Sequence, residues 1–320
     1  MKIGVAIALA VMASSSAMEA APTAKCADLR PALKKIADVM EARYVLPAKG
    51  AEGANELRRD AAGKQFAKFC GDNDAQAAEL MRLTRSAIPD LHIWIAFGPA
   101  QPKEAPPNPD HESLEGNLGI DEVSRMPGGI GYLKLSSWGP EPWVQPRLAH
   151  AIALLRDANA IILDVRGNGG GDAGTVNLVV RSFLPADAPE TSILYDRAGK
   201  IVPTKSVEPP WDRFPAKTPV VVLIDKSSAS GSEALAAALK EEGRATIMGV
   251  RSRGAAHSVR DSASLPGGFT IYIPEYRLAG RVTGTDWEGT GVKPDIPTGA
   301  DDAKMLAWEY LRLRLKGNTD

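Results

Sequence analysis

The stretch Ala160-Ile161-Ile162-Leu163-Asp164-Val165-Arg166-Gly167-Asn168-Gly169-Gly170-Gly171 decides the fold of this chain. Residues 160–165 form a short, β-branched, nearly unbroken apolar run, the pattern of a strand buried on both faces. The glycines that follow let backbone pass close to a ligand and leave N–H groups free to face an anion. A helical pattern over 173–183 comes next, and the order then repeats. Residues 219–224 (PVVVLI) read as a second buried strand and Lys226-Ser227-Ser228-Ala229-Ser230-Gly231-Ser232-Glu233 as a second loop. A helix over 230–242 closes at Gly243, and 245–250 returns as a strand. Strand–helix–strand alternation implies parallel pairing with right-handed crossovers, and ligands bind at the carboxyl ends of such strands. Upstream, 117–123 and 130–135 flank Pro127-Gly128-Gly129 as a hairpin, and 144–157 reads as a helix.

Farther out, the signal changes. Leu29, Leu33, Ile36 and Met40 recur at helical spacing, and 55–69 and 75–87 also read as helices. They predict a small N-terminal helical domain over 25–97, ending where 91–97 (LHIWIAF) turns strand-like. Residues 98–115 open with five prolines and no apolar period, a linker that separates the helices from an α/β core over 116–320. Lys2, the apolar run 3–13 and the small residues before Lys25 make 1–24 a secretory signal. A spanning helix would need about 20 apolar residues, and no later segment reaches that length. The mature protein is therefore expected to be periplasmic or secreted and not membrane-spanning. After export, Cys26 and Cys70 are expected to pair; two unpaired thiols are the alternative. Such a bridge would stabilise the fold by about 4 kcal/mol in the chain-entropy account.

Composition excludes several classes. With 38 basic and 39 acidic residues the chain has no electrostatic reason to bind nucleic acid. Two cysteines cannot build a cysteine zinc site or an iron–sulfur cluster, and no metal or organic cofactor is expected. The glycine loop lacks the Gly-Lys-Ser/Thr ending of a nucleotide loop, which leaves a plain tight turn as its alternative. In the second loop, serine at a strand-to-helix turn sits where helix N–H groups can stabilise a developing oxyanion. Ser230 and Glu233 equally form a Ser-x-x-Glu capping box, and the two roles are compatible.

Taken in order, 164–171 (DVRGNGGG), 221–233 (VVLIDKSSASGSE), Gly243-Arg244-Ala245 and 288–295 (EGTGVKPD) resemble the C-terminal processing (tail-specific) serine peptidases. The tricorn core protease and interphotoreceptor retinoid-binding protein are relatives of that family. The likeness spans roughly residues 91–297, and the N-terminal helices with Tyr44-Val45-Leu46-Pro47 resemble the retinoid-binding branch. It implies an α/β fold, a ββα core of the crotonase/Clp-protease type behind the helical domain. It also implies that Ser230 is the nucleophile and that Gly170 and Gly231 N–H form the oxyanion hole. Ala255 stands where the processing branch has its lysine base, and the chain has no room for the usual PDZ domain; both departures point to the tricorn side. There the base is a histidine in an Asp-x-His context, which Asp90-Leu91-His92 fits, with Glu288 completing the set. Leu91 replaces a serine of tricorn, so Asp90 could take over the orienting role from Glu288. Of the four histidines, His111 and His150 read as surface residues and His257 as an alternate base or substrate contact.

The leading reading is a periplasmic or secreted serine peptidase acting on peptide or unfolded protein through an acyl-enzyme. A neutral His92 base would give an acidic limb near pH 6 to 7. The alternative is a non-catalytic binder of hydrophobic ligands or peptides. An acyl-CoA enzyme of the crotonase fold is disfavoured by export. Oligomeric state is not readable from these residues.

Overall fold

The computed structural model describes residues 25–100, 108–204 and 207–317. The signal segment 1–24 lies outside them, as does 101–107 of the proline-rich stretch. In chain order the first elements are β1 (Lys25–Ala27), α1 (Arg30–Arg43), α2 (Pro47–Ala61), β2 (Phe69–Gly71), α3 (Asn73–Ala87), β3 (Trp94–Phe97) and α4 (His111–Glu115). Next come β4 (Ile120–Met126), β5 (Ile130–Leu135), α5 (Glu141–Leu155), β6 (Ala160–Asp164), α6 (Ala173–Arg181), β7 (Ser192–Asp196) and β8 (Ile201–Val202). The chain finishes with β9 (Val220–Ile224), α7 (Gly231–Glu241), β10 (Thr246–Gly249), β11 (His257–Leu265), β12 (Phe269–Gly280), β13 (Ile296–Pro297) and α8 (Ala303–Gly317).

The apolar runs form the centre of a six-stranded sheet ordered β13-β10-β9-β6-β5-β4, parallel except for the β4–β5 hairpin. β6 and β9 are buried at every position, which is why their sequences lack alternation. One face packs on α5, α6 and α7 through residues such as Leu148, Leu163, Val179, Val222 and Leu235. The other face is covered by α8 through Ala303, Ala307 and Leu311.

A second, antiparallel sheet runs β11-β12-β7-β8, and β3 also pairs with β12. The N-terminal helices close their core on this sheet: Leu33, Ile36, Met40, Leu57 and Leu80 pack with Leu265, Phe269, Ile271 and Ile273. Helix α2 begins at Pro47, ahead of the expected position 55, because proline at the first turn fits a helix start. Within the expected linker, Asp110 caps the short helix α4 by accepting from Ser113 N–H at 2.8 Å. β1 and β2 pair so that Cys26 faces Cys70, and the two are disulfide-bonded.

Candidate active site

Ser230 follows β9 and immediately precedes α7, as the strand–loop–helix pattern implies. Its backbone is strained: φ is +51°, a left-handed value for a residue with a Cβ. Glu233 holds it there. This wholly buried carboxylate accepts from Ser230 N–H (2.9 Å), Ser252 Oγ–H (2.6 Å), Gly254 N–H (2.7 Å) and Ala255 N–H (2.8 Å). Its role thus exceeds the helix cap expected of it: one side chain joins the serine turn to the 252–255 loop.

The glycine loop crosses beside this turn. Buried Asn168 ties it down, donating to Leu135 O (3.1 Å) while its own carbonyl accepts from Ala229 N–H (3.0 Å). Asn168 Oδ1 accepts the Gly170 N–H at 2.9 Å. The Gly170 donor is therefore directed within its own loop rather than toward an oxyanion. Gly170 is nonetheless tightly placed: a Cβ there would lie 2.7 Å from Ser230 Cβ, and its φ is +111°. The next residue, Gly171, lines the cleft. Trp138 N–H donates to Gly170 O and Asp172 N–H to Trp138 O, a parallel bridge centred on Gly171. In such a bridge the central residue's own N–H faces away from its partner. Among the described residues neither Gly171 N–H nor Gly231 N–H has an acceptor.

His92 approaches from the helical side. After α3, Asp90 Oδ1 accepts from His92 N–H (2.9 Å), and Arg85 donates to Leu91 O (2.8 Å) and Ile93 O (2.9 Å), fixing the turn. This brings His92 Nε2 to 3.0 Å from Ser230 Oγ, a separation of 138 residues in sequence. His92 Nδ1 is buried, 4.0 Å from Asp90 Oδ1, and without a hydrogen-bond partner among the described residues. Asp90 Oδ2 accepts from Tyr44 O–H (3.0 Å) and lies 2.6 Å from His257 Nδ1. Glu288 approaches His257, with Oε2 3.8 Å from Nδ1. Its Oε2 accepts from Ala256 N–H (2.6 Å) and His257 N–H (3.0 Å), so it holds the start of β11 rather than the ring of His92. The structure thus brings Ser230, His92, Asp90, His257, Glu288 and Gly231 together. His111 and His150 are exposed.

Burial lowers the pKa of His92, and nearby His257 and Arg85 add to that effect against the opposing pull of Asp90. For His257 burial acts in the same direction, but the hydrogen bond to Asp90 and the fields of Asp90, Glu288 and Asp286 outweigh it and raise the pKa. Burial, followed by the Asp90 charge, raises Glu288. Burial also raises Tyr44, which keeps it a hydrogen-bond donor. His92 therefore titrates below the ordinary histidine value. Asp90, His92 and Glu288 each present a donor atom within 4.8 Å of the other two. Both carboxylates already accept from protein N–H or O–H groups.

The cleft beside Ser230 has a volume of about 420 Å³. Val176, Leu194, Ala234, Leu278 and Trp287 line it with Ala255. Chemically, the arrangement offers a hydroxyl on an imidazole, two backbone N–H groups without an acceptor among the described residues and an apolar wall, the parts needed for acyl transfer.

The model of peptidase family S41 matches residues 129–298. The chain belongs to peptidase family S41. It is similar to the carboxyl-terminal-processing protease of Synechocystis sp., at 32% identity over 184 residues, 56% of this chain and 40% of that protein. The carboxy-terminal processing protease CtpB of Bacillus subtilis matches at 29% over 150 residues, 46% of this chain and 30% of that protein. The chain thus spans less than half the length of these relatives. Among solved structures, a peptidase of Parabacteroides merdae superposes with a TM-score of 0.64 at 18% identity, covering 89% of this chain and 97% of that one. The photosystem II D1 C-terminal processing protease gives 0.51 at 17%, covering 85% and 93%. At such identities the superpositions show the α/β fold with its N-terminal helices.

Proposed function

We propose that the protein is a serine peptidase that hydrolyses peptide bonds through an acyl-enzyme on Ser230. The observation that carries the reading is the 3.0 Å approach of His92 Nε2 to Ser230 Oγ across two otherwise distant parts of the chain. In its neutral form His92 accepts the hydroxyl proton as Ser230 Oγ attacks the carbonyl carbon. It then returns that proton to the leaving amine, and water repeats the sequence to release the acid. Gly231 N–H at the start of α7 and the N–H of Gly171, which lines the cleft, stabilise the oxyanion, the second taking the part expected of Gly170. Asp90 is the carboxylate nearest the back of His92, and Glu288 supports the segment carrying His257. The apolar wall favours an apolar side chain next to the scissile bond.

The substrate is a peptide or unfolded chain, and the setting is periplasmic or secreted. The signal pattern of 1–24 and the Cys26–Cys70 bond support that setting. No described helix is long and apolar enough to cross a membrane. Exported protein should have a mature N-terminus between Met18 and Lys25, read by intact mass. A fluorophosphonate probe tests the chemistry: adduct on Ser230, lost in Ser230→Ala and His92→Ala, together with peptide hydrolysis, is the expected result. No labelling, with saturable binding of a hydrophobic ligand or peptide, would make the protein a binder instead.

A further inference from the structure

The site holds a second imidazole that the reaction above does not use. His257, the first residue of β11, is buried, with Nδ1 2.6 Å from Asp90 Oδ2 and its ring edge-on to Tyr44. The same carboxylate stands 4.0 Å from the unpartnered Nδ1 of His92. Two imidazoles thus share one buried carboxylate, and its close ring contact is with the imidazole that does not touch the serine.

We propose that His257 is a positioning residue that carries positive charge beside Asp90 and so keeps His92 neutral, extending the working range of the base toward acid pH. The inference rests on His92 being the base. The groups around the pair set the order of protonation. Facing His257 are Asp90 from the turn before β3, Tyr44 from the end of α1, and Asp286 and Glu288 from the loop after β12. Glu288 Oε2 is 3.8 Å from its Nδ1. Arg277, opposite His257 in the β11–β12 register, is matched by Asp286 at 3.0 Å. Around His92 stand Asp90, Glu288, His257 and Arg85 of α3, and Arg253 lies in the field of Arg85. The short carboxylate contact is therefore at His257, whereas His92 Nδ1 stands 4.0 Å from Asp90 and lies in the field of Arg85. The first proton goes to His257, where Nδ1–H donates to Asp90. A second, on His92, would place another imidazolium beside the first in a partly buried site, where like charges repel.

This differs from a merely structural histidine in the sign of one effect. In His257→Asn the side-chain amide can still donate to Asp90 but carries no charge. His92 should then become easier to protonate, its titration rising by about one pH unit or more. The test uses full-length protein with isotope-labelled histidine, followed by NMR in the Ser230→Ala background so that it needs no turnover. Expected are a higher midpoint for His257 than for His92 and an upward shift of His92 in the Asn variant. In the active enzyme the acid limb of kcat/KM should move up with it. A His92 midpoint above that of His257, or one unmoved by His257→Asn, overturns the proposal. Should His257→Asn not fold, the order of the two midpoints decides. A correct order and shift in a protein without peptidase activity would support the charge coupling while removing His92 as base.

Discussion

The two sides of the cleft are built on different plans. The Ser230 side comes from consecutive strand–loop–helix units of one parallel sheet, and its fixing contacts stay within residues 135–255. The His92 side is gathered from the end of α1, the turn after α3, the start of β11 and the loop after β12; Tyr44, Asp90, His257 and Glu288 meet only in three dimensions. A nucleophile turn needs a strained backbone, which neighbouring loop contacts can hold. A base needs a controlled charge environment, which takes ionisable groups from several directions.

The sharpest way to break this comparison is to remove one member from each side. Ser230→Ala should lower kcat/KM by at least about 10⁴ and His92→Ala by at least about 10³. The double variant should be no worse than Ser230→Ala alone; additive losses would mean that the two do not act as a unit. Next comes Gly170→Ala, within the Ser230 side. Its Cβ would lie 2.7 Å from Ser230 Cβ, and displacing the nucleophile should cost about 10²-fold in kcat. Activity within threefold of the parent would show that the loop yields without moving the serine. Glu233→Gln should act mainly on folding. The new amide must face donors that now meet an oxygen, costing about 3 kcal/mol in urea unfolding and roughly tenfold in kcat. Unchanged stability would remove Glu233 as the joint between the loops. The smallest effect on rate is expected at the far end of the helical region. Replacing Cys26 and Cys70 by serine should lower stability by about 2–4 kcal/mol while kcat/KM of the folded molecule stays within twofold. A large loss of rate would tie the bond to the site.

The same contrast explains what could be read in advance. β6, β9, α6 and α7 were legible because buried parallel strands and capped helices leave local patterns, and Ser230 and Gly231 sit within such a unit. Asp90-Leu91-His92 was readable only through its family context. The place of Tyr44 in the site and the sharing of Asp90 by two imidazoles left no local sign, because Tyr44 and His257 are 213 residues apart in sequence. The glycine loop was recognised, but the direction of each N–H was not. Asn168 claims the Gly170 donor through a side-chain bond that spacing does not encode. The long strands β11 and β12 were missed: β11 (HSVRDSASL) is mostly polar and half-buried, and β12 contains Pro274 near a shift in its pairing with β11.

The pairing of β3 with β12, which brings the N-terminal helices onto the antiparallel sheet, gives the site a mechanical character. His92 belongs to the turn that leads into β3, whereas Ser230 is anchored in the parallel sheet. A fluctuation that lifts the helices from β12 separates His92 from Ser230 while the parallel sheet stays intact. Such partial openings require less free energy than global unfolding. Mild heating or denaturant should therefore abolish the proposed turnover before it melts the protein, making turnover a more sensitive gauge of how firmly these regions are docked than far-ultraviolet circular dichroism.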